Sequence, residues 1–217
     1  MANVVITGST GYMGRALAPE LLRRGHTVRA LVRPGSESKV PVGVTAVKGN
    51  ALDAASVSAA IGDADTLVHL VGVSHPSPAK AREFREIDLA SVKASVAGAA
   101  GRVRHFVYVS VAHPAPVMKE YIAVRTEGEA LIHAAGLNAT ILRPWYVLGP
   151  GHWWPAILLP IYWTMELIPA TREGARRLGL VRLIQMVAAL AGAVDSPATG
   201  IRILEPPEIR RAKNVQK

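Results

Sequence analysis

The chain has 217 residues, of which 50% are hydrophobic and 19% are charged. This length suits a single domain, and the apolar content excludes an intrinsically disordered chain because a sizeable core can be buried. The absence of cysteine excludes disulfide frameworks, thiolate metal sites and cysteine nucleophiles. Lysine and arginine number 25 against 16 aspartates and glutamates, a net charge of +9 that needs an explanation.

Short runs of β-branched and apolar residues alternate along the chain with amphipathic helical segments. The predicted strands are 3–7, 27–33, 44–48, 66–71, 105–111, 139–142 and 200–204. The predicted helices are 12–24, 54–61, 79–100, 120–135 and 181–192. This alternation predicts an α/β fold, with a doubly wound parallel sheet and helices on both faces. We expect one domain over residues 1–217, with 206–217 as a frayed tail.

A glycine-rich turn follows the first predicted strand and precedes a helix. Gly8, Gly11 and Gly14 have the spacing GxxGxxG. The first glycine permits a tight turn, the second lets the backbone approach a diphosphate, and the third lets the helix pack closely on the strand. The helix N-terminus then donates N–H groups to the phosphates. The predicted dinucleotide-binding residues of this turn are Gly8, Ser9, Thr10, Gly11, Tyr12, Met13 and Gly14.

The end of the second predicted strand indicates which dinucleotide is bound. NAD sites place an acidic residue there to accept from the ribose 2′-hydroxyl, whereas NADP sites place an arginine near the 2′-phosphate. Arg33 occupies this position, and no acidic residue precedes it in the strand. A guanidinium can form two hydrogen bonds with a phosphate. The sequence therefore predicts NADP(H) in preference to NAD(H), with a solvated arginine at the strand end as the alternative.

Four segments together resemble the atypical short-chain dehydrogenase/reductases. They are residues 7–14 (TGSTGYMG), Arg33, residues 49–53 (GNALD) and residues 142–151 (LRPWYVLGPG). The similarity extends to NmrA-like proteins, the NADPH-binding accessory subunit of respiratory complex I and small epimerase-like NAD(P)-binding proteins. It implies a Rossmann-type fold, a substrate-side segment over about residues 145–200, and an oxidoreductase that transfers hydride between NADPH and a small-molecule substrate.

The resemblance also implies roles for individual residues. Tyr121 and Arg125 match the catalytic Tyr-x-x-x-Lys pair, with arginine in place of lysine. Ser110 ends the fifth strand, where active members carry serine or threonine, but Val111 occupies the hydroxyl position of the sugar epimerases. Besides Tyr121 and Arg125, the further cofactor contacts implied are Asn50, Ala51, Val71, Gly72, Pro144, Trp145 and Tyr146.

Tyr121 and Arg125 are four residues apart, so they share one face of the predicted helix. A tyrosine in this position exchanges a proton with the substrate oxygen, and a neighbouring cation lowers its intrinsic pKa of ~10. Arginine keeps the positive charge, but its planar guanidinium differs in shape from the compact ammonium group of lysine. Three alternatives therefore stay open: an NADP(H)-dependent reductase, a non-catalytic NADP(H)-binding redox sensor or structural subunit, and a nucleotide-sugar epimerase or dehydratase.

The aromatic residues are concentrated in one stretch, because residues 145–163 contain every tryptophan. Ligands of open α/β sheets bind beyond the carboxyl ends of the strands. We therefore expect this stretch to form one wall of a binding pocket for a flat or apolar carbonyl compound or quinone. The candidate substrate contacts are His113, Trp145, Trp153 and Trp154. A small hydrophobic core, a homodimer contact and a membrane-surface contact are the alternatives.

Several function classes are not expected. Histidines and carboxylates lack metal-ligand spacing, so no metal is predicted. There is no nucleic-acid motif, and no nucleic-acid partner is expected. The N-terminus lacks the features of a signal peptide, and the uncharged run 144–165 contains four prolines, which exclude one regular membrane-spanning helix. We therefore expect a cytoplasmic protein.

Overall fold

The computed structural model describes residues 1–212, apart from the side chains of Trp154, Leu158 and Ile161. Seven parallel strands form its central sheet in the order β3-β2-β1-β4-β5-β6-β9, and β7 and β8 form a separate parallel pair. The strands are β1 (Asn3–Thr7), β2 (Thr27–Val32), β3 (Thr45–Lys48), β4 (Thr66–His69), β5 (His105–Val109), β6 (Ala139–Leu142), β7 (Val147–Leu148), β8 (Val181–Arg182) and β9 (Ile201–Leu204).

Helices cover both faces of the sheet, which confirms the predicted Rossmann-type doubly wound fold. They are α1 (Tyr12–Arg23), α2 (Ala54–Ile61), α3 (Ala81–Glu83), α4 (Ala90–Ala99), α5 (Lys119–Ala134), α6 (Leu159–Leu167), α7 (Pro169–Arg177), α8 (Leu183–Asp195) and α9 (Pro206–Arg211). A π-helical segment, Phe84–Leu89, joins α3 to α4, and a 3₁₀ turn, Trp154–Leu158, leads into α6.

The two faces of the sheet form two hydrophobic clusters. Val4 and Ile6 of β1 pack in the cluster that contains the apolar residues of α1 and α8, whereas Val5 packs in the cluster of α2, α4 and α5. All three side chains are fully buried. A strand covered on both faces needs apolar residues at successive positions, which explains why β1 has no polar–apolar alternation.

The strand order reverses between β1 and β4, since the chain leaves β1 toward β2 and β3 and returns beside β1 as β4. In open α/β sheets this reversal opens a crevice at the carboxyl ends of the two strands. Thr7 and His69 end the two strands and are paired in register. Thr7 Oγ1 and Ser95 Oγ each lie 2.9 Å from His69 Nδ1. The buried histidine therefore ties β1, β4 and α4 together beneath the crevice.

Two of the differences from the sequence predictions lie in the C-terminal part of the chain. The predicted helix 181–192 begins with the short strand β8, because Val181 pairs with Val147 and donates its N–H to the Tyr146 carbonyl at 2.9 Å. The predicted frayed tail forms α9 over Pro206–Arg211, and Ile209 is fully buried. Proline is well suited to a first helical turn because no N–H is required there. Residues 213–217 lie outside the described part of the chain.

Candidate functional site

The glycine loop has the geometry of a dinucleotide-binding turn. Gly8 has φ +80°, and a Cβ there would lie 2.8 Å from the carbonyl carbon of Leu70 and 2.9 Å from the Val71 nitrogen. A Cβ on Gly14 would lie 2.5 Å from Ser9 Cα. Glycine at these two positions lets the loop pack on the chain leaving β4 and lets α1 pack on the loop, as the spacing predicts.

The opening of α1 has the properties that a dinucleotide diphosphate requires. Gly11 caps the helix and is exposed, and no acidic residue lies in the first turn. Within the described chain, the Gly8 oxygen is the sole atom near a Cβ built on Gly11. Ser9 Oγ and the Tyr12 hydroxyl are buried without a hydrogen-bond partner among the described residues. Free N–H groups and unpartnered hydroxyls at a helix N-terminus suit phosphate oxygens, so these residues fit the predicted cofactor.

The other predicted residues of the loop and of the third strand have mainly local contacts. Thr10 is half-buried, and Met13 packs against the α1 side of the core. Asn50 is exposed, and its Oδ1 accepts from the Leu52 N–H at 3.0 Å. Ala51 packs against the second hydrophobic cluster.

Arg33 lies just beyond β2 and is exposed. A turn follows it, closed by a hydrogen bond from the Ser36 N–H to the Arg33 carbonyl at 3.0 Å. The nearby acid Glu37 pairs with Lys48 at 3.1 Å. Among residues 1–212, no carboxylate forms an ion pair with Arg33. Its guanidinium is therefore free of the internal contacts that would compete with a phosphate.

Tyr121 and Arg125 lie together on α5, as their spacing predicts. The guanidinium carbon of Arg125 is 5.1 Å from the centroid of the Tyr121 ring. The same guanidinium is buried, where it forms an ion pair with Asp88 and donates to the Val109 carbonyl at 2.8 Å. It also leaves no room for a Cβ at Gly72. These contacts hold α5 against the chain that leaves β4.

Asp88 is the residue that sequence reasoning missed in this cluster. Its second carboxylate oxygen accepts from the Val73 N–H at 2.9 Å. Burial raises the pKa of Asp88, and the Arg125 charge opposes that shift. The only signal in the sequence is an aspartate flanked by apolar residues within the predicted helix 79–100.

Burial also sets the protonation state of Tyr121. The ring packs against Phe84, with 5.0 Å between the centroids. Desolvation raises the Tyr121 pKa, and although Arg125 lowers it, the Asp88 charge adds to the increase. The buried arginine is thus partly neutralised by its ion-pair partner. Because the Tyr121 pKa is raised above its ordinary value of 10.0, the hydroxyl is protonated at neutral pH.

Ser110 belongs to a second polar cluster, at the carboxyl ends of β5 and β6. Its hydroxyl donates to Glu129 at 2.5 Å. Arg143 donates to Glu129 at 3.0 Å through Nε and pairs with its second oxygen, while Nη1 donates to Glu205 at 3.0 Å. His113 Nε2 lies 3.7 Å from the Glu129 carboxylate. Glu129, which sequence reasoning missed, follows Arg125 by one helical turn on the same face of α5.

The loop after β6 carries the predicted residues Pro144, Trp145 and Tyr146. The Pro144 carbonyl accepts from the Ala112 N–H at 3.0 Å, which joins this loop to the segment after Ser110. The Trp145 and Tyr146 rings meet edge to face, with 5.6 Å between their centroids. Both aromatic side chains are half-buried.

Three rings connect the loops around the glycine turn. The Tyr12 and His152 centroids are 4.2 Å apart, and His152 stacks on His75 at 5.2 Å. Gly149 has no room for a Cβ because the Tyr12 hydroxyl lies against it. Sequence reasoning missed this ring contact, because it joins residues far apart in the chain.

An apolar cavity of about 550 Å³ lies between the segment after β5 and the helices α6 and α7. It is lined by Pro114, Ala115, Pro116, Tyr162, Met165, Gly174, Ala175, Arg177 and Leu178. Trp153 is 58% exposed and lines a different groove, beside Pro19 and Ile184. His113 adjoins the cavity in sequence, and the Trp154 side chain lies outside the described residues. The predicted substrate contacts His113, Trp145 and Trp153 are thus not among the residues that line this cavity.

Two further structural findings concern metals and membranes. Within residues 1–212, no group of three or more histidine or carboxylate side chains is arranged to hold a metal ion. No helix in the described part of the chain is long and apolar enough to cross a bilayer.

The fold, the switch point and the glycine turn are those of a Rossmann-type dinucleotide-binding protein. Residues 8–149 match the NAD(P)H-binding family, and the chain belongs to it. The matched range includes the glycine turn, Arg33 and α5. NAD(P)H binding follows from this membership.

Relatives of known activity match over different lengths. A ceramide reductase of Caulobacter vibrioides is 27% identical over 210 residues, covering 96% of this chain and 65% of the relative. The 4-hydroxy-2-methyl-3-oxo-4-farnesyl-3,4-dihydroquinoline-1-oxide ketoreductase of Stigmatella aurantiaca is 25% identical, covering 66% of this chain and 50% of the relative. The chain thus spans between half and two thirds of the length of these two relatives.

Solved structures share the fold. The Bordetella bronchiseptica enzyme WbmH in complex with NAD⁺ superimposes with a TM-score of 0.70 at 23% identity, covering 94% of this chain and 75% of that chain. A short-chain dehydrogenase/reductase superfamily protein from Agrobacterium tumefaciens with bound NAD has a TM-score of 0.67 at 22% identity, covering 93% and 77%. Both chains extend beyond the matched region.

Proposed function

We propose that the protein is an NADPH-dependent reductase of a carbonyl group on an apolar molecule. The observation that carries this proposal is the placement of a protonated Tyr121 beside Arg125, against the chain that leaves β4 next to the glycine loop. The apolar cavity supports the substrate class. The names of the ceramide reductase and the farnesyl-dihydroquinoline ketoreductase support it as well.

Different residues of the chain have different roles in the proposed reaction. The glycine turn would hold the diphosphate of NADPH, Arg33 would hold its 2′-phosphate, and the loop Pro144–Tyr146 would hold its nicotinamide end. NADPH, when bound, supplies the hydride that adds to the carbonyl carbon. Tyr121 donates its proton to the carbonyl oxygen as negative charge develops there, and solvent returns a proton to the phenolate. The products are an alcohol and NADP⁺.

Arg125 and Ser110 act differently from their counterparts in the resemblance. Two nitrogens of Arg125 are already engaged by Asp88 and Val109, while Nε is buried with no hydrogen-bond partner among the described residues. We assign Arg125 to hold Tyr121 in place and to offset part of the burial cost of its phenolate. Ser110 is engaged by Glu129, so we assign it to position the loops at the ends of β5 and β6.

The experiment that tests this function compares wild-type protein with Tyr121→Phe on a panel of apolar ketones and quinones. Consumption of NADPH is followed by its absorbance. General acid catalysis contributes about 10²- to 10⁴-fold in rate, so kcat should fall by that factor while the affinity for NADPH is retained. Unchanged turnover by Tyr121→Phe would refute the assigned proton donor.

A second function is favoured by a specific observation, the engagement of Arg125 and Ser110 by buried acids. A protein that binds NADP(H) without turnover, as a redox sensor or structural subunit, needs neither group free. Tight NADPH binding with no oxidation by any ketone or quinone of the panel would favour this function over the reductase.

A further inference from the structure

A stack of three rings lies at the crevice between β1 and β4. Tyr12, in the glycine turn, begins α1, and His75 lies in the loop after β4. The His152 ring joins them, with its centroid 4.2 Å from that of Tyr12 and 5.2 Å from that of His75. The planes of the two imidazoles are 15° apart, so these rings are almost parallel. The stack therefore connects the chain that leaves β1 to the chain that leaves β4.

His152 has a polar atom that no described residue contacts. Its backbone N–H donates to the Gly149 carbonyl at 2.8 Å, but its Nδ1 is buried without a hydrogen-bond partner among the described residues. Ser9 Oγ and the Tyr12 hydroxyl, in the adjoining glycine turn, are unpartnered in the same way. Because unpaired buried polar atoms are unfavourable, three such atoms along one part of the crevice indicate a polar ligand there.

The charges around the stack suit an anionic ligand. Lys80 Nζ donates to the Ser74 carbonyl at 2.7 Å, which holds a positive charge beside His75. Asp88, the acid that contacts the same loop, is paired with Arg125. In the described chain no carboxylate forms an ion pair with Lys80 or with either histidine of the stack. An imidazole that carries its hydrogen on Nδ1 can donate to an anionic oxygen, and such bonds are stronger than neutral ones.

The strand order indicates which anionic group of a dinucleotide reaches the stack. β2 lies on one side of β1, and β4 lies on the other. Arg33 follows β2, whereas His75 follows β4 and His152 follows β7. A dinucleotide with its diphosphate at the glycine turn and its 2′-phosphate at Arg33 therefore extends its nicotinamide half toward the stack. This orientation rests on the proposed function.

We propose that His152 is a further cofactor-binding residue, whose Nδ1–H donates to the phosphate of NADPH on the nicotinamide side. Tyr12 and His75 hold the imidazole between them. His75 packs on His152 with φ +51°, a backbone conformation that residues other than glycine rarely adopt. Strained backbone of this kind is concentrated at ligand-binding sites.

Calorimetric titration with NADPH and with adenosine 2′,5′-bisphosphate, which lacks the nicotinamide half, tests this role. His152→Phe keeps a ring in the stack but removes the nitrogen. We expect its Kd for NADPH to rise about ten- to a hundredfold, because a hydrogen bond to a charged group is lost. Its Kd for the bisphosphate should stay that of the wild type. His152→Asn, which retains an N–H donor near the position of Nδ1, should recover most of the NADPH affinity.

His133→Phe is the matched control, because His133 is exposed near the end of α5 and the variant should bind both ligands as the wild type does. His75→Asn is a second, milder variant, since asparagine tolerates the left-handed backbone. It removes one side of the stack and should raise the NADPH Kd about two- to tenfold. Circular dichroism establishes that the variants are folded.

Two results would overturn the inference. One is a wild-type Kd for NADPH in both His152→Phe and His75→Asn, since the rings would then only pack the loops together. The other is an equal loss of affinity for NADPH and for the bisphosphate in His152→Phe, since His152 would then not contact the nicotinamide side. Because the titrations need no turnover, either result leaves the assignment of Tyr121 as the proton donor untouched.

Discussion

The apolar residues of β1 are fully buried, whereas Ile157, Trp163 and Leu167 around α6 are mostly exposed. Both segments have the hydrophobic composition of a protein core. The difference arises because helices cover β1 on both faces, while α6 lines the cavity with Tyr162 and Met165 and leaves Trp163 and Leu167 at the surface. Hydrophobic sequence therefore predicts a core only where the topology supplies a cover.

The largest expected effect concerns the buried contacts of the cofactor-binding region. Asp88→Asn removes the charge that pairs with buried Arg125, and an uncompensated buried charge costs about 3–5 kcal/mol. Glu120→Gln is the matched control, because its ion pair with Arg85 joins the same two regions at the surface, where such pairs contribute about 0–1 kcal/mol. Urea denaturation of both variants measures the difference in the free energy of unfolding. Equal losses of stability would show that the buried ion pair contributes no more than the surface pair.

Two glycines with positive φ test how closely the glycine loop is packed. Gly8 and Gly151 both have positive φ, +80° and +76°, but only Gly8 has backbone atoms within 3 Å of a Cβ position. Gly151→Ala should cost about 1–2 kcal/mol from the left-handed backbone alone. Gly8→Ala adds overpacking and should cost about 2–5 kcal/mol in total. The free energies of unfolding provide the readout, and a Gly8→Ala protein as stable as Gly151→Ala would contradict the close packing of the loop.

The pH dependence of stability probes the histidine beneath the crevice. Burial, with the Arg125 charge, lowers the His69 pKa to about 3 from 6.5. Between these values the unfolded chain binds a proton that the folded chain does not, so stability falls as the pH falls. The slope from this group is at most about 1.4 kcal/mol per pH unit. Denaturation at several pH values should show that the stability of His69→Gln depends less steeply on pH than that of the wild type. An unchanged pH dependence would show that a group other than His69 takes up the proton on unfolding.

The sequence was sufficient to predict the central sheet, the glycine turn and the position of Arg33 at the end of β2, because each depends on local pattern and chain order. The partners of Arg125 and Ser110 could not be predicted. Asp88 and Glu129 reach them only through the packing of α5 on the sheet. Strand β8 likewise required its pairing with β7 across more than thirty residues, and a two-residue strand has no pattern of its own.

The most direct test of the central claim is the ratio of NADPH to NADH affinity, measured by calorimetric titration of wild-type protein and Arg33→Ala. Arg33 is exposed beyond β2 and has no acidic partner within the described chain. We predict that wild type binds NADPH at least about tenfold more tightly than NADH, which corresponds to about 1.4 kcal/mol. In Arg33→Ala the ratio should fall to about one, while Arg85→Ala, a surface control, should keep it. Equal affinities in the wild-type protein would contradict the account.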